Sequence, residues 1–175
     1  MMKKLVCMLL AAVLLCCFVS CNKDGTPEGM KNVAVESASF YLYVPEAWIP
    51  TSTSGISGAK VFESGDTSNV TATACYPDEI FTPTTYWEQK CLPEYRKVFS
   101  DIAMIEDQCG DTTLGGRDAK RYVFTYTLGE VQYEIMQVIA VYDVMVYTLT
   151  YTAEGTKYQS HLEDVNSIVA NFTFR

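Results

Sequence analysis

The chain has 175 residues, of which 49% are hydrophobic and 19% charged, with 13 lysines and arginines against 21 aspartates and glutamates and a formal net charge of −8. Such acidity gives it no electrostatic route to nucleic acid or to an anionic lipid surface. The apolar content, with twelve tyrosines, fits a folded, strand-rich domain and argues against a disordered chain.

Lys3 and Lys4 precede an uninterrupted run, Leu5 to Val19, with no charged or strongly polar side chain. A basic start, a short apolar middle and a small residue at its end is the layout of a secretory signal. The run falls short of the ~20 residues a spanning helix needs, which argues against a permanent transmembrane anchor. Residues 1–20 therefore read as a signal peptide, in which Cys7, Cys16 and Cys17 are apolar filler. The ending Phe18-Val19-Ser20-Cys21 resembles the bacterial lipobox, with phenylalanine where leucine is usual. That resemblance implies a diacylglyceryl group on the Cys21 thiol and cleavage before it, so Cys21 is the expected lipid-attachment residue. Each buried methylene contributes about 0.8 kcal/mol, and the two or three chains carried by one such cysteine make a durable anchor. Without the signal, eleven basic side chains face twenty-one acidic ones, a net charge of −10.

Residues 21–35 contain Gly25, Pro27 and Gly29 among interspersed charges and read as the lipidated cysteine with a flexible tether. Residues 36–175 remain as one globular domain of about 140 residues, enough for a single core. Phe40, Leu42 and Val44 alternate with Tyr41 and Tyr43, which predicts a strand ended by Pro45. Two short strands are expected at 59–64 and 69–75, separated by Gly65-Asp66. Thr82-Pro83 offers a cap and a first-turn proline for a helix through Tyr86, Trp87 and Cys91. Pro93 then predicts a kink, or two abutting helices, up to about Ser100. From Lys120 to Tyr142 two long strands flank a turn at Leu128-Gly129, and a third returns after Asp143 with Met145, Tyr147, Leu149 and Tyr151 on one face. Connections this short make an antiparallel meander. Finally, Tyr158, Leu162, Val165 and Val169 fall at helical spacing within 156–170 and predict a helix packed on one face of the sheet.

Four stretches in this order, Val44-Pro45-Glu46-Ala47-Trp48, Leu114-Gly115-Gly116-Arg117-Asp118-Ala119, Tyr147-Thr148-Leu149-Thr150-Tyr151-Thr152-Ala153 and Ile168-Val169-Ala170-Asn171-Phe172, resemble the PsbP-like domains. This family takes its name from the extrinsic lumenal protein of photosystem II and includes bacterial lipoproteins of the DcrB type. The resemblance spans residues 37–174. It implies an α+β fold in which a central antiparallel sheet is flanked by helices on both faces, an α/β/α sandwich. It implies no single activity, since members serve as photosystem subunits, as a nuclear-transport cofactor and as lipoproteins of unknown role. No functional residue carries over from it.

Chemistry-bearing residues are sparse. His161 is the sole histidine, beside the apolar stripe of the last helix, and is expected to be structural because no G-x-S-x-G elbow or paired-cysteine motif accompanies it. Cys75, Cys91 and Cys109 lie sixteen and eighteen residues apart, which excludes C-x-x-C chemistry and matches no zinc pattern. One disulfide with a thiol left over, or buried packing, are both open. Gly115-Gly116 lacks the G-K-[ST] ending of a phosphate loop and reads as a turn. Glu106, Asp107 and Asp111 do not match the spacing of an EF-hand and read as a solvated acidic turn. Tyr122, Tyr126, Tyr133, Tyr147 and Tyr151 either line a groove for a sugar or peptide or serve packing. The expectation is thus a lipid-anchored protein on the extracytoplasmic side of a bacterial membrane, with no catalytic, metal or cofactor-binding residue. It is a non-enzymatic binding or accessory module for a protein or small-molecule ligand. The alternative is a carboxylate- or metal-assisted hydrolase acting through Glu106, Asp107 and Asp111, which requires those side chains to converge in a cleft.

Overall fold

A computed structural model describes residues 25–175; the signal peptide expected over 1–20 and the lipid attachment expected at Cys21 fall outside the described residues. Short strands come first: β1 (Met30–Asn32), β2 (Phe40–Tyr41), β3 (Tyr43–Pro45), β4 (Ile49–Pro50) and β5 (Ser57–Lys60), then the longer β6 (Asn69–Cys75). A helical segment follows, made of α1 (Pro83–Tyr86), a π turn over Trp87–Cys91 and α2 (Leu92–Val98). After β7 (Ala103–Met104), a 3-10 turn at Glu106–Gln108 and β8 (Gly110–Leu114) come the long strands β9 (Arg117–Leu128), β10 (Val131–Tyr142) and β11 (Met145–Glu154). A 3-10 turn at Tyr158–His161 leads into α3 (Leu162–Asn171) and β12 (Thr173–Phe174).

The main sheet runs β4-β5-β6-β11-β10-β9-β7, with β8 also on β9, and every pairing in it is antiparallel. Its centre is β10, where Ile135 to Ala140 are buried on both faces, as a strand covered on two sides requires. One face presents Met136, Val138 and Ala140 beside Tyr151, Leu149 and Tyr147, and α3 covers it with Val165 and Ile168. On the other, Ile135, Ile139 and Phe124 meet Trp87 of the π turn. Helices on both faces of an antiparallel sheet are the expected architecture.

Local signals at the helical segment act as read. Thr82 and Thr85 cap each other, with Thr85 N–H donating to Thr82 Oγ1 at 3.1 Å and Thr82 N–H to Thr85 Oγ1 at 2.9 Å. Pro93 is the second residue of α2, which abuts α1 through the π turn, the two short helices being in line with the expectation. The turn before it widens, and the Leu92 N–H donates to the Trp87 carbonyl five residues back. A π turn accommodates a residue with no N–H and a ring that would press on the fourth carbonyl back.

Five boundaries differ from the sequence reading, one being the helix expected over 156–170, which is a 3-10 turn at Tyr158–His161 before it becomes α3 at Leu162. The strand expected over Phe40 to Val44 is two pieces off the main sheet, β2 paired with β12 and β3 with β1. Between them the Leu42 N–H turns to the Asn32 side chain at 3.1 Å, which interrupts the ladder. The tether expected over 21–35 is part of the domain from Met30 onward, because Met30 and Val33 are buried and the Val33 N–H donates to the Leu42 carbonyl at 2.9 Å. The strand expected at 59–64 lies at Ser57–Lys60, since a turn closed from Asp66 N–H to the Glu63 carbonyl follows it. The β9–β10 turn sits one residue later, at Gly129-Glu130.

Gly115-Gly116 forms the β8–β9 hairpin turn with positive φ at both residues, 54° and 76°. The Gly115 N–H donates to the Val169 carbonyl at 2.9 Å, and a Cβ there would stand 2.0 Å from the Phe172 carbonyl oxygen. This glycine lets the hairpin seat against the end of α3.

Candidate functional site

The sheet face under the helical segment carries a polar stripe. Antiparallel register sets Thr148 opposite Thr73, Thr150 opposite Thr71, and Gln137 opposite Thr150. Side chains alternate along each strand, so Gln137, Thr148 and Thr73 share a face. The helical segment is anchored to one side of this stripe. Trp87 stacks on Tyr122 with ring centroids 4.4 Å apart and planes 7° from parallel, and Tyr95 meets Phe124 edge-on at 4.9 Å. Between the threonines and the wall formed by Tyr86, Cys91, Tyr95, Val98 and Phe99 lies a groove of about 510 Å³. Lys90 and Glu94 stand at its rim, both exposed.

Gln137 is the polar exception in the buried run of β10, with 4% of its surface exposed. Its Nε2 donates to the Tyr95 hydroxyl and to Thr150 Oγ1, each at 3.1 Å, while Oε1 has no partner. A buried acceptor without a donor costs about 1–3 kcal/mol. The apolar core alone gives no reason for an amide here; a groove that needs an orienting polar group does.

The titratable groups of the wall are neutral. Burial pushes the Cys91 thiol up to about 12, so it is no thiolate nucleophile at neutral pH. Burial, more than the hydrogen bonds from Thr150 and Gln137 can offset, also lifts the Tyr95 hydroxyl to about 12, and it raises Tyr86. The three described cysteines are free. Cys75 is exposed with its Sγ 3.5 Å from the Tyr86 hydroxyl, and Cys109 accepts the Val123 N–H at 3.2 Å.

Other residues singled out in the sequence lie elsewhere. Glu106 and Asp107 are exposed on the 3-10 turn, and Asp111 points to Lys120 Nζ at 2.7 Å with its side chain 90% exposed. The three carboxylates do not converge in a cleft. Tyr147 and Tyr151 are core residues under α3, the latter donating to the Tyr158 carbonyl at 2.9 Å. Tyr126 stacks between Phe99, at 3.8 Å, and Tyr133, at 5.5 Å. None of the five tyrosines lines the groove; Tyr86 and Tyr95 do. Their spacing through Cys91 runs across the π turn and so escapes a search at helical period.

His161 is buried with its Nε2 2.9 Å from Asp66 Oδ2, and the Trp48 ring meets it edge-on at 6.1 Å. Burial pushes the Asp66 carboxyl up, but hydrogen bonds from Ser68 and His161 outweigh it and hold the group at about 2. The two partners are 95 residues apart in sequence, beyond any local motif.

No protein-family model and no curated protein sequence matches the chain. Solved structures do. The cyanobacterial PsbP, CyanoP, of Synechocystis superposes with a TM-score of 0.60 at 11% identity, over 89% of this chain and 98% of that one. The chain has the PsbP-like fold. The Ran-binding protein Mog1p of Saccharomyces cerevisiae shares this fold with a TM-score of 0.55 at 10% identity, over 83% of this chain and 95% of its own. LpqN of Mycobacterium tuberculosis, a protein involved in cell envelope biogenesis, does so with a TM-score of 0.55 at 18% identity, over 82% and 89%. At these identities the likeness carries the PsbP-like fold, and the groove rests on this chain's own residues.

Proposed function

We propose that the protein is a non-enzymatic binding module, held at the outer side of a membrane by lipid on Cys21, that takes a small, neutral, mostly apolar ligand in the groove beneath α2. The observation that carries this reading is the groove itself. Its volume of about 510 Å³ lies within the ~300–1,000 Å³ typical of small-molecule sites. Aromatic and thiol walls supply apolar contact, while two threonine hydroxyls and the Gln137 amide supply orientation on a floor without charge. The sequence around Cys21 and the envelope role of LpqN, on the same fold, support placement outside the cytoplasm. The hydrolase reading has no such support, because Glu106, Asp107 and Asp111 are exposed and apart.

Val98 lines the groove with 73% of its surface exposed, so Val98→Arg changes the mouth without disturbing the core. Titration with the neutral apolar probe N-phenyl-1-naphthylamine is expected to show saturable binding that weakens at least about tenfold in Val98→Arg at unchanged thermal stability. Equal binding by the two proteins would overturn the groove. In membrane fractionation, Cys21→Ala is expected to move the protein to the soluble fraction; retention on the membrane would overturn the anchor.

A further inference from the structure

A second constellation lies on the opposite face of the sheet from the groove. The turn after β5 brings Glu63 and Asp66 onto one side, closed by the Asp66 N–H to the Glu63 carbonyl at 3.2 Å and turned through Gly65 at a φ of 80°. His161, from the 3-10 turn that opens α3, reaches the same point. One carboxylate oxygen from each acid and one imidazole nitrogen all lie within 4.8 Å of one another. Asp66 Oδ1 is fixed by the Ser68 N–H at 2.8 Å, which leaves Oδ2 directed at His161 Nε2.

Two features suit a cation. The first is the donor set: the 2.9 Å between Asp66 Oδ2 and His161 Nε2 is that of a hydrogen bond, whose proton a metal ion would replace with both donors already aimed at one point. Glu63 is exposed and free to rotate inward as the third donor. The second is charge. Glu63 and Asp66 stand against a single imidazole, and Asp164, three residues further along α3, accepts from Trp48 Nε1 at 3.3 Å. None of the three has a lysine or arginine partner among the described residues. Asp66 already accepts from Ser68 and pairs with His161, and a cation would add to that compensation.

We propose that Glu63, Asp66 and His161 form a site for a divalent transition-metal ion of the zinc type, which cross-links the turn after β5 to the start of α3. One nitrogen and two carboxylate donors suit zinc or manganese, whereas magnesium and calcium take all-oxygen shells. The ion bridges segments 95 residues apart, and because it binds the folded chain alone it stabilises the fold by mass action.

The chain's single histidine makes the test specific, since its imidazole nitrogens are the only ones in the protein and zinc on a cysteine leaves them unmoved. The full chain, purified in detergent without a histidine tag, is titrated with zinc chloride while imidazole ¹⁵N resonances and thermal stability are followed. Zinc is expected to shift the imidazole signals and to raise Tm by about 5 °C when in ~100-fold excess over its Kd. Glu63→Gln, at an exposed position, is expected to weaken binding at least about tenfold with the metal-free Tm unchanged. Magnesium is expected to leave both readouts where they were. Imidazole signals unmoved by millimolar zinc, zinc binding by Glu63→Gln equal to that of the parent, or an equal response to magnesium would each overturn the site.

Discussion

The Gln137 amide nitrogen donates to the Tyr95 hydroxyl at 3.1 Å, joining the centre of the sheet to the helical wall of the groove. Tyr95→Phe removes that acceptor and is expected to cost about 1 kcal/mol in urea unfolding. Gln137→Met, of similar volume, removes the amide together with its unpartnered oxygen. The two lost hydrogen bonds offset the relief of that oxygen, so stability is expected to change by less than about 1 kcal/mol while the apolar probe binds more weakly. A destabilised Gln137→Met that binds the probe as the parent does would contradict the orienting role of this residue.

Gly115 and Gly116 share one turn and differ in consequence. Gly115→Ala drives a Cβ to 2.0 Å from the Phe172 carbonyl oxygen, at a φ of 54°. The backbone must shift, so a loss of roughly 3 kcal/mol or more, read by thermal unfolding, is expected. Gly116→Ala meets open space at a φ of 76° and is expected to cost only about 1 kcal/mol.

Asp66 makes stability depend on acid in a definite direction. Its folded-state pKa of about 2 lies below the ordinary 3.8, so the stability it contributes is fully present above pH ~4 and is lost as pH falls through about 2. The amount is on the order of 2 kcal/mol. Urea unfolding at pH 5 and pH 2.5 is expected to show a smaller acid loss in Asp66→Asn than in the parent; parallel losses would refute the assignment.

Val144 is a β-branched residue at a φ of 61°, at the exposed tip of the β10–β11 hairpin beside Asp143 at 49°. An Asp-Gly pair suits this turn, and Val144→Gly relieves left-handed strain of about 1–2 kcal/mol, partly offset by glycine's greater freedom when unfolded. A rise in Tm of about 2–4 °C is expected. An unchanged or lower Tm would show that the strain is absorbed elsewhere.

Where the sequence could be read depended on how local the determinant was. Alternation along Lys120 to Thr152 located the three long strands, because a half-buried strand writes its own period of two. Thr82-Pro83 located the helix start, since a cap is completed within one turn. Phe40 to Val44 gave the right buried residues but the wrong strand, as the break at Leu42 depends on the Asn32 side chain ten positions away. Met30 and Val33 read as tether because two apolar residues among charges carry no period, although their partner lies in β3 and its approach. The groove was hidden for the same reason.

From the residues alone came an α+β meander with an amphipathic last helix, a lipobox-like N-terminus and an absence of familiar catalytic motifs. Each of these is encoded within a window of some ten to twenty residues by periodicity, turn chemistry or composition. Tertiary structure alone brought Gln137 under Tyr95, set Thr73 beside Thr148, and placed Asp66 and Glu63 against His161. These pairings follow from strand register and from loops meeting across the sheet, and such contacts are decided by the packing of the whole domain, which no local stretch of chain records.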